Sequence, residues 1–352
     1  MRLLPYRSLS VKLILISLMH FVTDGLCSYL IFAKLYHDNP DFAFFVFLGY
    51  NVLAFVTQSP IGMLIDKYNK PKMFLAISIL LMLLGYVFSE IWILSVLLIG
   101  MSNSIFHVAG GKYVTDKSGN DISHLGIFVS TGAIGLVLGQ RYLDFKPMPY
   151  IFFTILIICG LLMILSKDSE TKQYVEEYER SGDPTLALLA VIAVVVIRSF
   201  VGKVISPDFT LSDYDFLIVA LATAFGKAAG GVCSKLVGVK PTTYVSMVVA
   251  AVCFTFGVGN IVTFIIGIFA FNFSMPITLY FANILLKSRE GFAFGTLAAS
   301  LIPGFFIAMS YTYSLPMRIC TTVLCLISML IIIIISKRIK NVDRTFTFDN
   351  IS

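Results

Sequence analysis

Few ionisable side chains fall inside the long apolar stretches of this sequence, and their spacing sorts them into two sets of opposite character. His20 and Asp24 are four residues apart, as are Asn103 and His107. In a helix, that spacing puts each pair on one face. A carboxylate in a low-dielectric setting has a raised proton affinity, and an imidazole gives or takes a proton near neutral pH. Asp24, with His20 or His107, is therefore a candidate proton carrier. Interhelical hydrogen bonding that only fixes packing, worth about 1 kcal/mol per bond, is the plainer alternative. The second set is cationic. Arg198, Lys203 and Lys227 lie in later stretches that hold no acid at depth to neutralise them. An ionisable group there costs a few kcal/mol or more to insert, so each is a functional candidate. Arg198 could bind an anionic group or pair with Asp24, against a purely structural role. Lys227, Asn103 and Asn51 are further candidates for holding a solute, and Lys203 can snorkel to the surface. Glu90 and His124 fall at stretch ends and read as solvated.

These residues need long helices to position them. Of the 352 residues 58% are hydrophobic and 13% charged, and the mean hydropathy is +0.90. No soluble domain tolerates such a surface. Twelve apolar stretches, each able to cross a hydrocarbon core of about 30 Å as helix, are expected near 10–33, 42–64, 73–89, 91–114, 122–140, 148–166, 185–206, 216–236, 241–257, 259–284, 290–311 and 315–336. The fold class is all-α integral membrane protein. The basic start reads as a retained first helix, because its apolar run is too long for a signal peptide. With both termini in the cytoplasm, most of the 26 Lys and Arg fall in cytoplasmic loops, and only Lys34, Arg141 and Lys146 in the opposite ones. That asymmetry is the usual one, and it accounts for the net charge of +6 without a nucleic-acid partner. The six cysteines are scattered with no CxxC pair and the four histidines are dispersed. Neither a metal site nor a cofactor is expected.

The longest polar insert, 167–184, lies between stretches six and seven. It separates an N-terminal six-helix bundle (1–166) from a C-terminal one (185–340), followed by a cytoplasmic tail (341–352). Landmarks recur at one offset of 169: Gly62 with Gly231, Asn69 with Gly238, Gly126 with Gly295, Gly135 with Gly304, and Phe106-His107 with Met275-Pro276. The halves therefore read as a duplication. Parallel repeats enclose a midplane cavity that rocking exposes to each side in turn.

Between stretches two and three runs Gly62-Met-Leu-Ile-Asp66-Lys67-Tyr-Asn69-Lys70-Pro-Lys72. This resembles the loop signature of the major facilitator superfamily, with Gly62, Leu64, Asp66, Lys67 and Lys70 matching and Asn69 in place of a second Gly. Asn tolerates a left-handed backbone best among non-glycine residues, so the turn survives. The resemblance implies twelve helices in two pseudo-symmetric bundles, with Gly62, Asp66, Lys67 and Lys70 in a conformational latch. The second copy carries Lys235 where Asp66 stands. His20-Phe-Val-Thr-Asp24-Gly25 and Gly100-Met-Ser-Asn103-Ser-Ile-Phe106-His107-Val108 look like segments of the fosmidomycin-resistance-type branch of drug-efflux antiporters. Val108 stands where that branch carries Pro.

The expected function is proton-coupled secondary transport of a small anionic or amphipathic solute across the cytoplasmic membrane by a monomer, with export favoured and uptake of an anionic nutrient as the alternative. An enzyme or sensor is remote. The sequence has no HExxH, GxSxG or Walker-type glycine loop, so neither hydrolytic chemistry nor ATP-driven transport is expected of it.

Overall fold

The computed structural model describes residues 6–141, 144–168, 178–312 and 314–341. Among the described residues eleven helices are long and apolar enough to cross a membrane: α1 (Val11–Asp38), α2 (Pro40–Tyr68), α4 (Trp92–Ser118), α5 (Ile122–Arg141), α6 (Met148–Leu165), α7 (Pro184–Val204), α8 (Asp213–Val237), α9 (Val239–Phe256), α10 (Ile261–Leu285), α11 (Glu290–Ala308) and α12 (Leu315–Arg338). The twelfth apolar helix, α3 (Pro71–Val87), has 17 residues. At about 1.5 Å per residue it still reaches roughly 25 Å. Each expected stretch has its helix. The largest differences are at α1 and α2, which run on to Asp38 and Tyr68, because Lys34 and the Asp66-Lys67 pair ride on helix ends rather than in loops.

Large apolar side chains point outward all round the molecule, among them Leu80, Ile93, Leu161, Leu189, Val245 and Ile334. In water that surface would aggregate; against acyl chains it is the expected one. Packing pairs repeat between the halves. α1 packs on α5 and α6 as α7 packs on α11 and α12, and α3 packs on α4 and α6 as α9 packs on α10 and α12. The halves meet where α2 crosses α11 and where α8 crosses α5.

Small residues make those two crossings. A methyl group on Gly62 would collide with the Gly291 carbonyl, and one on Gly295 with the Gln58 carbonyl. At the other crossing, a methyl on Gly231 would sit 2.5 Å from the Ile122 carbonyl oxygen, and one on Gly126 2.8 Å from that of Lys227. All four contacts map onto each other at the offset of 169, so the repeat seen in sequence is a repeat of backbone approach.

The turn after α2 closes as its sequence requires, with Asn69 left-handed at φ 51°, ψ 40°. Two stretches of wider helical turns, Tyr29–Leu35 in α1 and Val52–Val56 in α2, flank the central cavity; such turns concentrate at functional sites. In the linker, residues 169–177 lie outside the described residues. Its end forms β1 (Tyr178–Arg180), which pairs antiparallel with β2 (Ile339–Asn341) just beyond α12. The remainder of the tail lies outside the described residues.

Candidate functional site

A cavity of about 430 Å³ opens between the halves, lined by residues of α1, α2, α4, α5, α7, α8, α10 and α11. It collects almost every intramembrane candidate: His20, Asp24, Asn51, Asn103, His107, Arg198 and Lys227 all line it.

On one wall, α1 and α4 bring three groups to a point. His20 Nε2 lies 3.0 Å from His107 Nε2, and the Asp24 carboxylate stands 3.3 Å from each. The other ring nitrogens settle the tautomers. His20 Nδ1 lies 2.7 Å from the Phe128 carbonyl oxygen and His107 Nδ1 2.9 Å from that of Asn103. A carbonyl only accepts, so both Nδ1 atoms carry hydrogen and donate. In the neutral rings both Nε2 atoms are then bare lone pairs, facing each other and an acceptor-only carboxylate. One cation at their centre relieves this, and a single proton suffices. Two imidazoles and a carboxylate within 4.8 Å are also donor types found in metal sites. Asn103 Nδ2 donates to Asp24 Oδ1 at 3.3 Å and to Cys27 Sγ at 3.4 Å, which makes Asn103 a holder of the carboxylate. Asn51 donates to the Phe47 carbonyl at 2.7 Å.

The other wall is cationic. Among the described residues no acid lies within ion-pair distance of Arg198 or Lys227, and Arg198 Nε is buried without a hydrogen-bond partner. The pairing of Arg198 with Asp24 envisaged from sequence does not form here, because the Asp24 oxygens face His20, His107 and Asn103. Phe32, Phe47, Phe55, Phe294 and Phe305 supply apolar lining. Lys203 sits outside the cavity, its ammonium 5.3 Å from the Phe305 ring centre.

The face that carries the start of α1 and the end of α12 is closed by contacts between the halves. Asp66 accepts the Gly291 and Phe292 N–H groups, at 2.9 and 2.8 Å, at the start of α11. Anions are favoured at helix N-termini. Gly62 crosses beside it, whereas Lys67 and Lys70 are exposed. Lys235 pairs with Asp121, which caps α5 through the Ser123 N–H at 2.9 Å. Burial works against ionising Asp121, but hydrogen bonds from His124, Lys235 and Ser123 outweigh it and hold the carboxyl below its usual range. His124, expected at a solvated edge, is buried against Asp121; Glu90 is exposed, 3.3 Å from Lys34.

Sequence reasoning missed Lys112. Read only as a loop charge, it is 5% exposed and stands 3.4 Å from Asp66, 3.1 Å from Asp116 and 3.1 Å from Glu290. It thus joins α2, α4 and α11. The Lys112/Asp116 spacing of four was the available signal; the contribution of Glu290 from the other half was not visible along the chain.

A pseudo-symmetric bundle with a central cavity and one closed face defines a membrane transporter architecture. The sequence profile of the Major Facilitator Superfamily matches residues 13–205, more than half of the chain, and the chain belongs to that superfamily. Solved structures agree in fold. The fucose:proton symporter FucP in the outward conformation superposes with a TM-score of 0.66 at 15% identity, covering 93% of this chain and 99% of that one. A second structure of the E. coli symporter gives 0.64 at 12% over the same shares. The human organic anion transporter MFSD10 gives 0.63 at 12%, covering 92% and 99%. No curated protein sequence matches. The chain is thus a multi-pass membrane protein built as a secondary transporter for small-molecule substrates.

Proposed function

We propose that this protein is a proton-coupled carrier that moves a small anionic or amphipathic organic solute across the cytoplasmic membrane by alternating access. The observation that carries this reading is the 3.0 Å approach of two Nε2 lone pairs beside the Asp24 carboxylate, a site one proton completes. His20, Asp24 and His107 hold that proton; Arg198 and Lys227 hold the solute's anionic group. The bodies 1–166 and 185–340 rock about the cavity, joined by the linker 167–184. Gly62, Asp66, Lys67 and Lys70 latch the closed face, Asp66 through the start of α11. That face is cytoplasmic, where the basic loops concentrate, and the carrier works as a monomer. Export is the direction that the α1 and α4 segments favour by resemblance; uptake of an anionic nutrient employs the same groups.

The test is a pH-sensitive dye in proteoliposomes under an imposed proton gradient, with a panel of small organic anions and drugs. We expect at least one compound to dissipate the gradient with wild type and not with Asp24→Asn. If both proteins respond alike, Asp24 only packs. If no compound moves protons with either, proton coupling is wrong and sodium coupling or facilitated diffusion replaces it.

A further inference from the structure

The two charge sets stand on different halves but share one volume. His20, Asp24 and His107 come from α1 and α4, Arg198 and Lys227 from α7 and α8, and all five line the same cavity. Lys227 faces the same open volume as His107 and Asp24, with no intervening wall between the two sets. The other titratable groups beside the cluster are Cys27 on α1 and Tyr50 on α2. From α5, α10 and α11 the cavity receives Gly132, Thr278 and Phe294, which carry no charge.

Charge balance then links proton to solute. With Asp24 ionised and both imidazoles neutral, the five groups sum to one positive charge; a proton on the cluster makes two. An anion at Arg198 and Lys227 is held more tightly in the second case. Equally, an anion there adds negative potential at the Nε2 atoms and retains the proton. Each ligand raises the affinity for the other, by the same factor. Exchange requires the opposite, that each ligand expel the other.

Resting on the proton-and-anion reading above, we infer that the proton and an organic oxyanion occupy this cavity together and cross together, which makes the carrier an oxyanion:proton symporter rather than an exchanger and, under an inward proton gradient, selects uptake over the export favoured by resemblance. The guanidinium of Arg198 offers a planar fork that matches carboxylate, sulfonate or phosphonate oxygens. The phenylalanines of the lining suit an aromatic or alkyl body, and the volume fits a small organic molecule.

Benzenesulfonate and 1,3-benzenedisulfonate keep their charge at every working pH and do not cross lipid as neutral acids, so any pH dependence belongs to the protein. Their binding to the full-length protein in detergent is measured from pH 8 to pH 6, with proton uptake followed by an indicator dye in weak buffer. We expect affinity to tighten about tenfold toward pH 6, within the roughly 5- to 150-fold span of linked sites, with protons taken up on binding. The pH slope disappears in His107→Gln and survives in Lys227→Arg, whose charge does not titrate. Affinity that is flat or weakens toward pH 6, or protons released on binding, overturns co-occupancy and leaves anion binding standing. Failure of both sulfonates to bind, or binding indifferent to Arg198→Gln, overturns the anion reading and the inference with it. In proteoliposomes, accumulation of the sulfonate in the alkaline compartment supports symport, and accumulation in the acidic one sinks it.

Discussion

The N-terminal and C-terminal halves share a backbone plan and differ in the charge they hang on it. At the two crossings the glycines coincide at the offset of 169, yet Asp66 of α2 becomes Lys235 of α8, and the neutral Gln58 becomes the cationic Lys227, both lining the cavity. α1 and α7 follow a different register. Gly135 abuts Phe21 and Gly25, whereas its counterpart Gly304 abuts Val196 and Phe200. Those contacts differ by 175, which sets Thr23 opposite Arg198 and Asp24 opposite Ser199. The duplicated scaffold therefore supplies two equivalent walls, and single substitutions make one the proposed proton-binding wall and the other the proposed anion-binding wall. Backbone approach tolerates almost no side chain at the crossings, so it stays symmetric; the cavity walls face open volume and are free to diverge.

The largest expected effect tests this division. Arg198→Gln removes a cation from the solute wall and leaves the three proton-holding groups untouched. Truncating one partner of a desolvated charge pair costs about 2–5 kcal/mol, so the apparent affinity for the transported anion falls about 30-fold or more in radiolabelled uptake. The proton-binding curve of the solute-free protein, followed by indicator dye, keeps its shape. A normal anion affinity, or loss of proton binding in its place, breaks the assignment of roles to walls.

Much of this was readable along the chain, for physical reasons. Twelve spans follow from hydropathy because lipid admits little but helices, and His20/Asp24 and Asn103/His107 follow from a four-residue spacing. That the two pairs meet was not readable, since the approach of α1 to α4 depends on packing partners far away in sequence. The same holds for Lys112 and Glu290, 178 residues apart. The Arg198–Asp24 pair, one of the alternatives left open by the sequence, is absent here for a related reason: sequence shows that opposite charges exist, while the nearer imidazoles decide which of them the carboxylate meets.

The latch gives the next effect in size. Asp66 accepts hydrogen bonds from two backbone N–H groups at a helix start. In Asp66→Asn one of those donors would meet an amide NH₂, and a hydrogen bond to a charged group contributes about 1.5–3 kcal/mol. Loss of about 2 kcal/mol shifts the closed-to-open ratio of this face roughly 30-fold. Lys235 at the equivalent place has a side chain 41% exposed, so its pair with Asp121 is partly screened and contributes about 0.5 kcal/mol. Distances between spin labels at Tyr68 and Lys240, which are exposed on different halves, read the opening. We expect a clear shift for Asp66→Asn and little for Lys235→Met; equal shifts would mean that charge, rather than the α11 start, closes the face.

The smallest effect lies within the N-terminal half. Asp168 gathers Lys12 at 2.8 Å, Lys72 at 3.0 Å and Lys117 at 3.7 Å, tying the ends of α1, α3 and α4. Burial opposes its charge, but hydrogen bonds from Lys12, Lys72 and Tyr113 outweigh that and hold the carboxyl well below its ordinary value of 3.8. A carboxylate with a depressed folded-state pKa stabilises above its unfolded value and loses that contribution as pH falls toward the folded one. Asp168→Asn should therefore lower thermal stability by about 1 kcal/mol at pH 7, allowing for solvent screening. The difference from wild type should persist down to about pH 4 and close only below it. In the other half, the corresponding end is held by backbone pairing of β1 with β2, which does not titrate. Removing that pairing by truncation before Ile339 should give a stability loss with no acid dependence over the same range. A pH-independent loss in Asp168→Asn as well would mean that this end, too, is held by geometry and not by charge.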